Sequence, residues 1–275
     1  MATEIDYFSG SGNSLHVARE LQRRLPDASL RPIVRCLEQD TVKPPVDTVG
    51  LVYPIHGLTL PIPVRRFVQR LDLASVSYLF AIATRAATSH RAFEAIDRIL
   101  DRTGRRLDAF CTLTMPSNDP KFRDWRPPTP EEAAQLESVV QSRLDTVQEI
   151  VVRRKTCREP DTDCPVPVHP LLLSLVPLAV RYAEIEGARD YFHADDRCTG
   201  CGTCAKVCPA RKVRMAGGRP EWKKGVTCYL CYACLNYCPK GASQITSRVW
   251  MRSYTAENER YPHPHATADE IAAQR

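Results

Sequence analysis

The sequence predicts a doubly wound α/β domain with a five-stranded parallel sheet, followed by a small domain organised by cysteines. Short apolar runs alternate with amphipathic stretches over residues 1–154, which is the pattern of βαβ units. Eight of the twelve cysteines lie between residues 198 and 238. A length of 275 residues leaves room for two domains, since a domain usually has about 100–200 residues. We therefore divide the chain into a large domain at residues 1–154, a linker at 155–190 and a small α+β domain at 191–248. A polar tail at residues 249–275 follows, which is expected to be loosely ordered.

Apolar runs predict the strands of the large domain, at residues 4–8, 30–34, 49–53, 78–83 and 107–115. Apolar residues spaced by three and four predict helices from Leu15 to Leu25 and over residues 64–71 and 92–100. Thr129, followed by Pro130 and two glutamates, is a helix start with Thr129 as the capping residue. The helix that begins there is predicted to end near Arg153. Five strands that alternate with helices fit an open parallel sheet with helices on both faces.

The small domain contains two complete copies of the pattern C-x2-C-x2-C-x3-C-P, thirty positions apart. Three cysteines at this spacing bind one [4Fe-4S] cluster, whereas the fourth is carried to the other cluster by the turn that follows. Zinc sites with four thiolates are the alternative, but zinc does not require a third cysteine at the same step and a Cys-Pro pair, twice over. Two [4Fe-4S] clusters are therefore predicted, one on Cys198, Cys201, Cys204 and Cys238 and the other on Cys228, Cys231, Cys234 and Cys208.

On these two cysteine patterns, residues 191–247 resemble the bacterial-type two-cluster ferredoxin. The resemblance implies a compact, pseudo-symmetric fold whose clusters exchange electrons. Eleven lysines and arginines between residues 197 and 252 stand against a single acid, Glu221. Two explanations have equal weight: an acidic redox partner binds here, or the charges offset the cluster thiolates. Nucleic acid is not an expected partner, because the basic residues are interleaved with cluster ligands and no recognised nucleic-acid-binding motif accompanies them.

A loop rich in glycine and serine follows the first strand and opens the first helix. A helix N-terminus offers unpaired N–H groups and the positive end of its dipole, and small residues let a phosphate approach the backbone. The loop holds no lysine or arginine and lacks the three-glycine dinucleotide pattern, which argues against a Walker-type or dinucleotide site. A capped helix start is the alternative to a phosphate site. The candidate phosphate-binding residues are Ser9, Gly10, Ser11, Gly12, Asn13 and Ser14.

The loop reads Ser-x-Ser-Gly-Asn-Ser over residues 9–14 and resembles the phosphate loop of flavodoxins. Nearly the whole chain is similar to a family in which a flavodoxin-like domain is fused to a C-terminal two-cluster ferredoxin. Residues 115–118, Met-Pro-Ser-Asn, resemble the Met-Pro-x-Asn segment of that family. The resemblance implies FMN as a cofactor. It also implies flavin contacts in the loops after the third and fourth strands, at Pro54, Ile55, His56, Gly57, Thr84 and Arg85.

Several side chains near these loops have two readings each. Arg85 either lies at the flavin N1/O2 edge or forms a surface ion pair. His56 either bonds to the ring or is a polar loop contact. Phe122 and Trp125 either cover the flavin or the ferredoxin interface, or serve packing. We assign no metal to the remaining cysteines, Cys36, Cys111, Cys157 and Cys164.

The predicted function is that of an electron-transfer iron-sulfur flavoprotein, in which the clusters exchange single electrons with FMN and a redox partner. One alternative is an FMN-dependent reductase of a small organic substrate, with a pocket formed by Ile55, His56, Leu58 and Trp125. Another is a flavin-free subunit that docks the ferredoxin onto a larger redox complex. These alternatives differ in whether flavin is present and in what accepts the electrons.

No apolar run reaches the roughly 18–20 residues of a membrane span. The best candidate, residues 171–180, contains Ser174 and Pro177. The first residues lack the basic and apolar segments of an export signal, so we expect a cytoplasmic protein with no membrane span.

Overall fold

The computed structural model describes residues 2–89, 91–161, 191–248 and 252–275, together with isolated positions between 169 and 182. Most of the predicted linker, with Cys164 and much of the apolar run 171–180, lies outside the described residues. Within the part of the chain that is described, no helix has the length and apolar character needed to cross a membrane.

Six parallel strands form one sheet in the order β2-β1-β3-β4-β5-β6. The order of the first five is that of the flavodoxin-like doubly wound fold, whose ligand site lies at the switch point between β1 and β3. The fold class is thereby confirmed, and each of the five predicted strands ends within two residues of its observed bounds. The strands are β1 Thr3–Tyr7, β2 Ala28–Pro32, β3 Thr48–Pro54, β4 Tyr78–Arg85, β5 Ala109–Thr114 and β6 Cys157–Arg158.

The sixth strand corrects the predicted number of five. Strand β6 has only two residues and pairs with β5 in parallel, Cys157 opposite Ala109. The Cys157 N–H donates to the Asp108 carbonyl at 3.2 Å, and the Glu159 N–H donates to the Phe110 carbonyl at 3.1 Å. Backbone hydrogen bonds rather than an apolar run define this strand, so hydrophobic patterning could not find it. The segment predicted as a linker therefore begins inside the sheet.

Helices cover both faces of the sheet, as the alternating pattern predicts. One face packs against α1 and α5, where Leu21 and Leu144 are completely buried, and the other against α3 and α4, where Phe67 and Ile96 are completely buried. Helix α5 begins with a reciprocal cap: the Glu132 N–H donates to Thr129 Oγ1 at 3.2 Å, and the Thr129 N–H donates to Glu132 Oε2 at 2.9 Å. The helices are α1 Asn13–Arg24, α2 Ile33–Cys36, α3 Ile62–Val68, α4 Ala92–Leu100 and α5 Pro130–Val152.

The cysteine-rich domain is built from two short helices and two antiparallel strand pairs, β7 with β10 and β8 with β9. Each helix, α6 and α7, contains the third cysteine of its repeat. Phe192 and Leu235 lie in its small core. These elements are β7 Phe192–Ala194, α6 Thr203–Lys206, β8 Val213–Ala216, β9 Arg219–Trp222, α7 Ala233–Asn236 and β10 Ser243–Ile245.

The C-terminal residues 252–275 pack against the molecule, contrary to the expected loose tail. A short helix, α8 Ala268–Ala272, ends just before Gln274, whose exposed fraction is 0%. The His263 N–H donates to the Ser11 carbonyl at 2.8 Å, and the Tyr237 hydroxyl donates to the Ala266 carbonyl at 3.0 Å. Hydrogen bonds attach this segment to the phosphate loop, to the loop after β5 and to the cysteine-rich domain, and apolar periodicity does not report such contacts.

Candidate functional site

A cavity of about 500 Å³ opens at the carboxyl ends of β1, β3, β4 and β5. We call it the switch-point cavity, because ligands of doubly wound folds bind where the strand order reverses. Its volume lies within the range of about 300–1,000 Å³ usual for small-molecule sites. Of the predicted flavin-binding residues, Gly12 alone does not line it; those that do are Ser9, Gly10, Ser11, Asn13, Ser14, Pro54, Ile55, His56, Gly57, Thr84 and Arg85.

The phosphate loop is held in a fixed shape by its own polar side chains. The Gly12 N–H donates to Ser9 Oγ at 3.1 Å, Asn13 Nδ2 donates to the Pro116 carbonyl at 2.9 Å, and Ser14 Oγ lies 2.8 Å from Thr84 Oγ1. Gly12 is the N-cap of α1, with φ of +107°, and a Cβ there would lie 2.8 Å from Cβ of His263. Because the N-cap has no side chain, the N–H groups of the first helical turn are left to a ligand in the cavity.

The loop after β3 supplies a histidine to the cavity wall. The His56 N–H donates to the Thr59 carbonyl at 3.1 Å, and the Thr59 N–H donates to the His56 carbonyl at 3.0 Å, which closes a tight turn. The His56 ring meets Phe8 edge-on at 5.9 Å, and burial lowers the pKa of His56 to about 4. The imidazole is therefore neutral at pH 7. Among the described residues, the buried atoms His56 Nδ1 and Asn13 Oδ1 have no hydrogen-bond partner, so the cavity wall has polar capacity for a ligand.

Arg85 forms an ion pair, which is one of its two interpretations, but the pair is buried and not at the surface. Its Nη2 donates to Asp161 Oδ1 at 2.7 Å, and its Nη1 donates to Thr114 Oγ1 at 2.6 Å. Asp161 also accepts from the Ser89 N–H at 2.6 Å and from Ser89 Oγ at 2.9 Å. Arg85 thus ties β4 to β5 and to the segment after β6. No sequence pattern indicates Asp161, which lies in the predicted linker.

The eight cysteines of the two repeats line two separate cavities. Each cavity combines three cysteines of one repeat with the fourth of the other repeat. We call the first set the outer quartet, because its Cys201 is exposed, and the second the inner quartet, because its Cys208 and Cys234 are buried. The outer quartet is Cys198, Cys201, Cys204 and Cys238; the inner quartet is Cys208, Cys228, Cys231 and Cys234.

Cys231 lines both the inner-quartet cavity and the switch-point cavity. Its backbone touches the phosphate loop: a Cβ at Gly10 would overlap the Cys231 carbonyl oxygen and lie 2.9 Å from the carbonyl carbon. The two domains therefore meet at the point where a flavin site and an iron-sulfur site would adjoin. The Cys-x2-Cys spacing predicts a cluster ligand here, but it carries no signal that this ligand faces the other domain.

A polar cluster that the sequence did not indicate also lines the switch-point cavity. The Tyr191 and Tyr232 hydroxyls lie 3.0 Å apart, and Lys121 Nζ donates to the Tyr232 hydroxyl at 3.4 Å. Burial opposes the charge of Lys121, but Asp119, 3.0 Å away, and Tyr191 raise its pKa above the usual value. Burial also raises the pKa of Tyr191. The cluster places two hydroxyls and one cation beside the cavity.

Phe122 also lines this cavity, with 58% of the residue exposed. Trp125 does not line it: the indole Nε1 donates to Ser117 Oγ at 3.2 Å, a contact that packs the loop after β5. Leu58 lines the cavity, as does Asn118, whose side chain donates to Ser11 Oγ. Of the four residues predicted to form a substrate pocket, the structure therefore brings together Ile55, His56 and Leu58.

The C-terminal segment holds the phosphate loop from behind. Gln274 Oε1 accepts from the Ser9 N–H at 2.9 Å, and Gln274 Nε2 donates to the Ser9 carbonyl at 2.8 Å. This pair of bonds joins residues 265 positions apart. The site thus depends on a residue that no motif identifies.

The remaining described cysteines lie away from both quartets. Cys36 and Cys111 are buried, and burial raises the pKa of the Cys111 thiol to about 12 and that of Cys36 to about 11. Cys157 is half-buried, with its sulfur 3.7 Å from Glu159 Oε1. Cys164 lies outside the described residues.

Comparison with known proteins identifies the second domain. Residues 197–243 match the 4Fe-4S dicluster domain family. No curated protein sequence matches the chain. The strand order, together with this match, fits a flavodoxin-type domain fused to a ferredoxin-type 4Fe-4S domain. Such a combination supports electron transfer in general.

Among solved structures, the chain is similar to a Bacteroides uniformis protein described as a flavoprotein, with a TM-score of 0.33 and 15% identity over 41% of this chain and 90% of that one. It is also similar to rubredoxin:oxygen oxidoreductase of the anaerobe Desulfovibrio gigas, with a TM-score of 0.31 and 15% identity over 55% and 37% of the two chains. The chain is similar as well to a short-chain flavodoxin associated with a bacterial microcompartment, with a TM-score of 0.33 and 14% identity over 56% of this chain and 99% of that one. The fold assignment rests on the strand order and not on these likenesses.

Proposed function

We propose that the protein carries single electrons between a partner protein and FMN in the switch-point cavity, through two [4Fe-4S] clusters in series. The observation that carries this proposal is the position of Cys231, which lines both the inner-quartet cavity and the switch-point cavity. A cluster on the inner quartet would lie against the flavin site, and the outer quartet would lie towards solvent. The carriers would therefore follow one sequence, from partner to outer cluster to inner cluster to FMN, and electrons could run along it in either direction.

The residues present fit FMN. The first turn of α1 offers N–H groups to a phosphate, and Asn13 Oδ1 and His56 Nδ1 have unused hydrogen-bonding capacity. Bound FMN would supply the capacity to hold one or two electrons, and so couple one-electron cluster chemistry to two-electron chemistry. The chain orients it with the phosphate loop and keeps the neutral His56 beside it. Arg85 lines the cavity and also supports the loop after β4 through its ion pair with Asp161.

The outer quartet is the proposed docking point for the partner. Cys201 is exposed, and Lys240, also exposed, lines the same cavity. Lys206 is exposed on α6, where it forms an ion pair with Asp269. A positive surface beside a cluster attracts an acidic protein and raises its association rate, an effect that salt weakens. We therefore propose an acidic redox partner at this surface.

The first test is composition. Anaerobically purified protein is expected to contain about eight irons, eight labile sulfides and one FMN per chain. The variant Cys231→Ser should lose about half of the iron and should slow the reduction of FMN by a reduced ferredoxin, while Cys157→Ser serves as a matched control outside both quartets and should change neither. Eight irons without flavin would favour the docking subunit over the relay. Zinc in place of iron would overturn the cluster assignment.

The polar wall of the switch-point cavity favours a second candidate, an FMN-dependent reductase of a small anionic organic substrate. Lys121, Tyr191 and Tyr232 offer a cation and two hydroxyls to the cavity. A reductase predicts that an organic acid reoxidises the reduced protein and that Lys121→Met slows this step. Electron exchange with a protein partner should be unchanged in the same variant. If Lys121→Met slows both or neither, the substrate role of Lys121 is wrong.

A further inference from the structure

Three elements bring two histidines and a glutamate together outside the flavin and cluster sites. His16 lies on α1, Glu137 on α5, and His263 in the C-terminal segment. One ligand atom of each lies within 4.8 Å of the others. His16 and His263 are buried, with exposed fractions of 6% and 4%, whereas Glu137 is partly exposed. We propose that these three residues form a binding site for a divalent first-row transition-metal ion.

The donor set matches that class of ion. Imidazole nitrogen suits zinc, iron, copper and nickel, and two histidines with one carboxylate form a recurrent ligand set for such ions. His16 Nε2 lies 2.9 Å from Glu137 Oε1, and the His16 and His263 rings lie 4.4 Å apart. A third imidazole, His265, lies 5.3 Å from the His16 ring and is exposed. Two imidazoles and one carboxylate thus lie together, and a third imidazole lies next to them.

The three ligand atoms need only small movements to reach the separations that binding one ion requires. Zinc bonds to nitrogen and carboxylate oxygen are about 2.0–2.2 Å long, so ligands of one ion lie at most about 4 Å apart. Ligand atoms within 4.8 Å therefore need to approach by about 1 Å. His263 lies between Pro262 and Pro264 on a loop, beside a cavity of about 190 Å³ whose wall includes Glu137, His263 and His265. That cavity leaves room for ring rotation and for water or His265 to complete the coordination.

The site would fasten the C-terminal segment to the phosphate loop. The His263 N–H donates to the Ser11 carbonyl at 2.8 Å, and the His16 N–H donates to the Gly12 carbonyl at 2.9 Å. An ion bound to both side chains would connect the two ends of the chain directly behind residues 11 and 12. The ion is thereby placed to stabilise the loop shape, and its binding does not require flavin.

Zinc is the probe in the test. Iron-loaded protein is dialysed against micromolar ZnCl2, and zinc and iron are counted per chain for the wild type, Glu137→Gln, His263→Gln and the control His193→Gln. His193 is an exposed imidazole on β7, bonded to Thr246 and remote from the site. We expect one zinc per chain in the wild type and the control at unchanged iron, and at least about tenfold weaker zinc binding in the other two variants.

The zinc X-ray absorption spectrum of the wild type tests the site without any variant. Nitrogen and oxygen neighbours at about 2.0–2.1 Å without sulfur support the proposal, whereas sulfur at about 2.3 Å means that zinc has entered a cysteine quartet and overturns it. Failure of the wild type to bind zinc, or equal binding by Glu137→Gln and His263→Gln at unchanged iron, overturns it as well. In that case His16, Glu137 and His263 interact only through hydrogen bonding and ring stacking.

Discussion

The contact between Gly10 and Cys231 makes the substitution Gly10→Ala the sharpest perturbation of the domain interface. The added methyl group would overlap the Cys231 carbonyl oxygen and lie 2.9 Å from the carbonyl carbon. Carbon atoms pack at about 3.5–4.0 Å, so the two backbones must separate by at least about 0.6–1 Å. Neither partner is a side chain that can rotate away. The phosphate loop, the inner-quartet loop, or both must therefore move.

The magnitude follows from the cost of overpacking. Inserting a methyl group into a well-packed contact costs about 1–3 kcal/mol. If this cost falls on the flavin-binding conformation of the loop, FMN binding weakens by about 5- to 150-fold, because 1.4 kcal/mol is a factor of ten. We therefore expect Gly10→Ala to raise the Kd for FMN within this range while the iron content stays at the wild-type level.

The assay is fluorescence titration of flavin-depleted, iron-loaded protein with FMN. Gly104→Ala is the control, since Gly104 has φ of +68° and a Cβ there would meet nothing within 4 Å. That variant carries a backbone cost of about 1–2 kcal/mol without touching the interface, and its Kd for FMN should be unchanged. Wild-type FMN affinity in Gly10→Ala would refute the argument that the close approach of the two loops shapes the flavin site. Equal weakening in both variants would refute it too.

Three further substitutions test other parts of the site. Gln274→Ala leaves the buried N–H and carbonyl of Ser9 without the partners that Gln274 supplies, which costs about 1–3 kcal/mol. Titration with FMN should show an affinity weaker by about 5- to 150-fold. An unchanged Kd contradicts a role of Gln274 in holding the phosphate loop. Asp161→Asn removes the carboxylate that pairs with the buried Arg85 and should destabilise the protein by about 3–5 kcal/mol, seen as a lower thermal midpoint. An unshifted midpoint contradicts a structural ion pair. Burial lowers the pKa of His56 from 6.5 to about 4 in the folded protein, so the neutral ring contributes stability above pH 6.5 that is lost as the pH falls towards 4. His56→Gln should therefore lessen the loss of unfolding free energy between pH 7.5 and 5.5 by about 1 kcal/mol. An identical loss in the wild type and the variant contradicts the burial argument.

Local patterns predicted the elements whose signals are local. Helix α5 begins at Pro130, as the Thr129 cap predicts, and ends at Val152, one residue before the predicted end. The central strands β1, β3 and β4 follow their apolar runs because they are buried between two layers of helices. The phosphate loop residues lie at the switch point because strand, loop and helix follow one another there without a break. In each case a few adjacent residues carry the whole signal.

The missed features all depend on contacts between distant parts of the chain. Asp161 pairs with Arg85 across 76 positions, and Gln274 brackets Ser9 across 265. Strand β6 is too short for an alternating pattern, and only its hydrogen bonds to the Ala109–Phe110 region define it. A polar residue that meets a distant backbone leaves no period in the sequence. The sequence predicted that three cysteines of one repeat group with the fourth of the other, because this pairing is a property of the C-x2-C-x2-C-x3-C-P spacing. Cluster binding by these two quartets stays a prediction.

The order of the two clusters in the proposed electron path follows from the residues between the cysteines. The first repeat separates its first three cysteines with Thr-Gly and Gly-Thr, small polar pairs, whereas the second uses Tyr-Leu and Tyr-Ala. The bulky spacers Leu230 and Tyr232 lie in the wall of the switch-point cavity, and burial raises the pKa of Tyr232 well above its usual value. Large apolar side chains favour the buried, domain-facing position, and small polar ones tolerate the solvent-facing position of Cys201. In the proposed path, two ligand patterns of identical spacing would therefore take opposite places, because the residues between the cysteines would decide which cluster meets the flavin and which meets the partner.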